Sequence, residues 1–123
     1  MRLRVYINKK LLNFQQESKQ ELQQVDSVGN VISTRVRVLT REGLHGRPAS
    51  QIATMLSKRD ATLTLVKTDD SEARADCSSV LDMLILAAGF DTELQILAEG
   101  PEARAALDEV SAFFNNKFGE KES

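Results

Sequence analysis

Gly43-Leu44-His45-Gly46-Arg47-Pro48 is the stretch on which the fold of this 123-residue chain turns, because it ends a strand and begins a helix around the only histidine. Ala49, Ile52, Ala53 and Leu56 follow it, and apolar side chains three and four apart make one buried helical face. Pro48 suits the first turn, where the N–H that proline lacks would have no partner within the helix. A helix is therefore predicted over 46–58, with His45 at its N-terminus. There the unpaired backbone N–H groups and the aligned peptide dipoles favour an anion beside the imidazole. The same field opposes an imidazolium by about 0.3–1 kcal/mol at an exposed site, which biases His45 toward the neutral, nucleophilic form. A neutral imidazole can accept a phosphoryl group, and Arg47 offers a planar fork of donors to its oxygens. A surface or capping histidine without chemistry fits the same residues, so position alone leaves both readings open.

Working outward, 31–39 alternates, with Val36 and Val38 on one face and Arg35 and Arg37 on the other, which predicts a strand with one wet face. Residues 40–44 are the loop that delivers His45. A second strand is expected over 61–67, Leu63 and Leu65 inward, Thr62 and Thr64 outward. The acidic turn Lys67-Thr68-Asp69-Asp70-Ser71 joins it to a weaker strand over 72–76 as a hairpin. Ser79 is an ordinary N-cap for the apolar run Val80, Leu81, Met83, Leu84, Ile85, Leu86, a helix ending at Gly89. Val80, Leu81 and Leu84 cannot all point inward, so they are expected to form a partner-binding patch near His45; a helix lying wholly in the core is the alternative. A strand over 92–98 turns Leu94, Ile96 and Ala98 inward. Gly100 and Pro101 then open a last helix with Glu102 in its first turn and a buried stripe of Ala103, Ala106, Leu107, Val110, Phe113 and Phe114. The order βαββαβα predicts an α+β open-faced sandwich, a four-stranded antiparallel sheet covered on one face by three helices.

Residues 1–30 read as an N-terminal extension: 2–7 alternate like a short strand, and 13–24 are polar with sparse apolar positions, which predicts a flexible tail. One domain over 31–118 and a C-terminal tail over 119–123 complete the expected organisation. A composition of 41% hydrophobic and 28% charged residues suits one globular core, and a net charge of −2 offers no basic face for nucleic acid. The single cysteine, Cys77, excludes an internal disulfide and suits a reducing compartment. No apolar run approaches the roughly 20 residues that a bilayer requires, so no membrane insertion and a cytoplasmic location are expected. No phosphate-binding P-loop, Cys/His ligand cluster or triad spacing stands out, and neither metal nor cofactor is expected.

Gly43 to Ser50 resembles the phosphorylation-site motif of HPr, the histidine-containing phosphocarrier of the bacterial phosphoenolpyruvate:sugar phosphotransferase system. The likeness continues through Ser78-Ser79-Val80-Leu81 and the Ala98-Glu99-Gly100 turn to about Phe118. It implies the same four-stranded, three-helix architecture. It also implies a monomer that receives a phosphoryl group on His45 from enzyme I and gives it to a sugar-specific enzyme IIA. In that account Arg47 supports the phosphoryl charge and the backbone amide of Gly46 holds an oxygen. Ser79 aligns with the family's regulatory serine, which implies an HPr serine kinase/phosphatase as a further partner. Three residues depart from the pattern: Gly46 stands where alanine is common, Ser78 replaces a lysine, and Asp82 a small residue. Ser78 and Asp82 remove positive potential from the docking face, which leaves open a regulatory paralogue, such as the nitrogen-related branch, acting by docking more than in sugar uptake. A binding domain that shares only the fold is a third possibility.

Overall fold

The computed structural model describes residues 31–120. The extension expected over 1–30 and its strand at 2–7 lie outside these residues. Four strands and three helices follow in the expected order: β1 (Ile32–Arg37), α1 (Gly46–Ser57), β2 (Thr62–Lys67), β3 (Asp70–Asp76), α2 (Val80–Leu86), β4 (Glu93–Glu99) and α3 (Ala103–Asn115), with a single 3₁₀ turn at Lys117–Gly119.

The strands lie in the order β1-β4-β2-β3. Antiparallel registers pair Leu65 with Ala75 of β3 and with Ile96 of β4. Across the other edge, Ser33 bonds Gln95 while Arg37 bonds Asp91, so β1 and β4 also run in opposite directions. It follows that β1 and β2 are parallel, as are β3 and β4, with α1 and α2 as the crossovers that such pairs need. The three helices cover one sheet face, because the inward positions Val36, Val38, Leu63, Leu65, Leu94, Ile96 and Ala98 are the buried ones. Ile52 and Leu56 of α1, Met83 of α2, and Leu107, Val110 and Phe114 of α3 fill the space above them.

Several boundaries differ from expectation for identifiable reasons. β3 begins at Asp70, earlier than residue 72, since its polar, exposed start carries no alternating signal. Helix α2 stops at Leu86, and the left-handed cap is Ala87 (φ 56°), where the sequence pointed to Gly89. Glu102 is the N-cap of α3, not a first-turn residue, and its carboxylate accepts from the Asp60 N–H. Phe113 is half-buried, whereas Phe118, beyond the helix, is 1% exposed and packs on both neighbouring rings.

Candidate functional site

The loop that carries His45 is pinned from below. Gly43 adopts φ +72°, and a Cβ there would lie 2.7 Å from the Ala88 carbonyl oxygen and 2.9 Å from Gly89 Cα, so only glycine fits. Leu44 is buried and its N–H donates to the same Ala88 carbonyl at 2.9 Å. The end of α2 thus fixes the beginning of α1.

His45 is the N-cap residue of α1, in an extended conformation, and its side chain makes no capping bond. The first intrahelical bond runs from Ala49 N–H to the His45 carbonyl. Pro48 has no N–H, so the orphan donors of this turn are the amides of Gly46 and Arg47, which have no acceptor among the described residues. The ring itself is not fully exposed, as the sequence reading assumed: 33% of the side chain is accessible. Its Nε2 lies 2.8 Å from Glu120 Oε2 and 3.4 Å from Glu42 Oε1. A carboxylate only accepts, so Nε2 carries the proton, and Nδ1 has no partner among the described residues.

Glu120 is the residue that the sequence reading did not bring to the site. Its side chain is 11% exposed, and Oε2 also meets Arg47 Nη2 at 3.2 Å. The helix field at the imidazole is therefore offset by two carboxylates, a correction to the view that α1 alone sets the charge around His45. Glu42, His45 and Glu120 form a set of metal-ligating type, which the sequence reading did not anticipate. Arg47 and the positive end of α1 already balance it, so a cation would enter against like charge.

At the start of α2, Ser79 Oγ accepts from the Asp82 N–H at 3.1 Å, an N-cap. The preceding turn is closed by Asp76, whose carboxylate accepts from the N–H and hydroxyl of Ser78, and by Asp82, which accepts from the Asp76 N–H. A phosphate on Ser79 would add its charge beside these two carboxylates. Along α2, Leu81 is 66% and Leu84 42% exposed, while Val80 is half-buried; the most exposed, at 71%, is Ile85, absent from the expected patch. Cys77 is buried, and burial, with Asp76 adding to it, pushes its thiol up to about 12, so it supplies no nucleophile.

A family model described as the PTS HPr component phosphorylation site matches residues 32–116, most of the chain. The chain belongs to the HPr family. The phosphocarrier protein HPr of Treponema pallidum is 38% identical over 86 residues, 70% of this chain and 94% of that protein. The phosphocarrier protein NPr of Shewanella violacea is 35% identical over 89 residues, 72% of this chain and 94% of the relative. In three dimensions, HPr from Bacillus anthracis superposes with a TM-score of 0.60 at 25% identity, covering 68% of this chain and 95% of its own. An HPr from Thermoanaerobacter tengcongensis gives 0.66 over 74% and 99%; at 21% identity it speaks to the fold alone. This HPr-family chain is thus a phosphotransferase-system phosphocarrier with HPr architecture. Among the described residues no helix is long and apolar enough to cross a membrane.

Proposed function

We propose that His45 accepts a phosphoryl group from enzyme I and passes it to a sugar-specific enzyme IIA in the cytoplasm. The observation that supports this most directly is the arrangement of the imidazole: Nε2 is tied to Glu120, and Nδ1 has no partner among the described residues. The Nδ1 lone pair forms the N–P bond while the donor's bond to phosphorus breaks, and the ring keeps its Nε2 proton against the Glu120 carboxylate. The orphan amides of Gly46 and Arg47 and the guanidinium of Arg47 receive the phosphoryl oxygens. Positioning and most of the electrostatic stabilisation come from each partner in turn, which docks on Leu81, Leu84 and Ile85 with the edge of Val80.

Incubation with phosphoenolpyruvate and enzyme I, followed by intact mass spectrometry, is expected to add one acid-labile phosphoryl group. An unlabelled chain would overturn the proposal. A second reading, a regulatory paralogue of the nitrogen-related branch, draws on the NPr relatives. Transfer from the labelled chain to a sugar-specific acceptor, against a nitrogen-branch acceptor, separates the two.

A further inference from the structure

Scattered apolar residues are ordinary on a protein surface, but Phe90, 59% exposed between α2 and β4, stands on a loop that is braced from both sides. The Asp91 N–H donates to the Val38 carbonyl at 2.8 Å, and the Thr92 N–H to that of Gly89 at 3.2 Å. Arg37 Nη1 donates to the Asp91 carbonyl at 2.7 Å, while the Ala88 carbonyl accepts from Leu44, in the loop that carries His45. The ring is thus held out next to the His45 loop, and a protein docked there would have little loop disorder left to freeze.

Beside the ring lies an open groove of about 400 Å³ that includes Arg37, from the sheet face opposite the helices, and Thr68 and Asp69, from the turn between β2 and β3. Asp91 and Glu93 complete its charged lining. Three carboxylates therefore meet one guanidinium, which is shared between Asp91 Oδ1 at 3.4 Å and Glu93 Oε2 at 3.7 Å. Glu93 turns its other oxygen to the Thr68 hydroxyl, which donates at 3.0 Å. The groove is left net negative beside an aromatic face.

We infer that this groove is a second docking point for the protein that exchanges phosphoryl groups with His45, and that it takes from that protein a Lys or Arg side chain whose apolar neighbour packs on Phe90. The inference rests on the reading of His45 as phosphoryl acceptor and extends the docking surface from α2 around the end of the sheet. Charge and ring need each other here. The Asp91 and Glu93 side chains are 69% and 33% exposed, so an ion pair made to them alone would be screened and weak. A partner that also covers Phe90 removes that water, strengthens the pair and lets its cation face the ring. A purely apolar segment would bury the carboxylates unpaired, and an acidic one would be repelled, so the groove selects as well as anchors.

Labelling of His45 by phosphoenolpyruvate and enzyme I, followed by intact mass spectrometry over a range of chain concentrations, tests this with the parent and its Phe90→Ser and Asp69→Lys variants. KM is expected to rise about fivefold in each variant with kcat within about twofold of the parent, because the groove contributes to binding and not to the chemistry. An unchanged or lower KM for either variant would overturn the inference, a lower one for Asp69→Lys pointing to an acidic segment. A second measurement needs no phosphoryl transfer: the peptides acetyl-Arg-Trp-amide and acetyl-Glu-Trp-amide are titrated against the backbone amide signals of Asp69, Phe90 and Asp91. The arginine peptide is expected to shift these signals in the parent and not in Phe90→Ser. Equal shifts by the two peptides, or none, would overturn the groove. Signals that move with the concentration of the chain alone would assign it to a second copy and overturn it too. If enzyme I labels neither parent nor variants, the acceptor reading fails, and the peptide titration decides the groove by itself.

Discussion

The starts of α1 and α2 solve the same problem in opposite ways. Both helices follow a strand, α1 after the loop 38–45 and α2 after the short turn 77–79, and both leave N–H groups without intrahelical partners. At α2 a serine hydroxyl closes the end locally, with Asp76 and Asp82 bonded into the turn, so the terminus is satisfied by residues within a few positions. At α1 the N-cap is His45, whose ring makes no capping bond and meets Glu120 instead, and the amides of Gly46 and Arg47 have no acceptor among the described residues. A helix end that is locally capped is a structural joint. One whose first N–H groups are left unpaired can take an anion.

The largest break in this comparison is His45→Ala. It should abolish acid-labile labelling, because no other histidine exists, while changing stability by less than about 1 kcal/mol, since the side chain caps nothing and is one-third exposed. Labelling that persists, measured by intact mass, would remove His45 from the chemistry. Next comes Gly43→Ala, where the new methyl group would press on Ala88 and Gly89 at a positive φ. A loss of about 2–3 kcal/mol is expected in denaturant unfolding, with slowed labelling as α1 is pushed off the end of α2. An unchanged midpoint would mean that the loop yields freely.

Ser79→Ala measures the closed end. It should cost about 1 kcal/mol, while Ser79→Asp, which still caps, should stay within about 0.5 kcal/mol of the parent. Comparable losses for the two would show that the hydroxyl is held by something other than its bond to the Asp82 N–H.

The elements were legible because alternation and helical spacing are printed in the chain: Leu63, Leu65, Leu94 and Ile96 name the inward face before any coordinates do. The patch on α2 was less so. Val80 to Leu86 is apolar except at Asp82, and one charged residue marks an outward side without showing how wide it is; Ile85, three residues after Asp82 and so on the same side, is the most exposed of the run. Glu120 was beyond reach in principle. No periodicity links it to His45, and the strap that carries it depends on left-handed backbone at Lys117 and Phe118, residues that do not advertise that conformation. The one available hint was Phe118, a large apolar residue past the end of a helix.

The smallest expected effect is the most discriminating for the open end. Gly46 is the first residue of α1, and a Cβ added there would meet nothing within 4 Å. Glycine has more backbone freedom to lose on folding than alanine, so Gly46→Ala should stabilise the chain by about 0.5 kcal/mol, roughly 2–4 °C in thermal unfolding. If Gly46 matters only through its backbone N–H, the variant keeps that donor, and a stiffer first turn holds it in place more of the time. Labelling of His45 should then be as fast as in the parent or faster. A variant that melts higher yet labels several-fold more slowly would instead mean that the first turn must move to receive the phosphoryl group. The openness of α1 would in that case be a matter of motion as well as of missing caps.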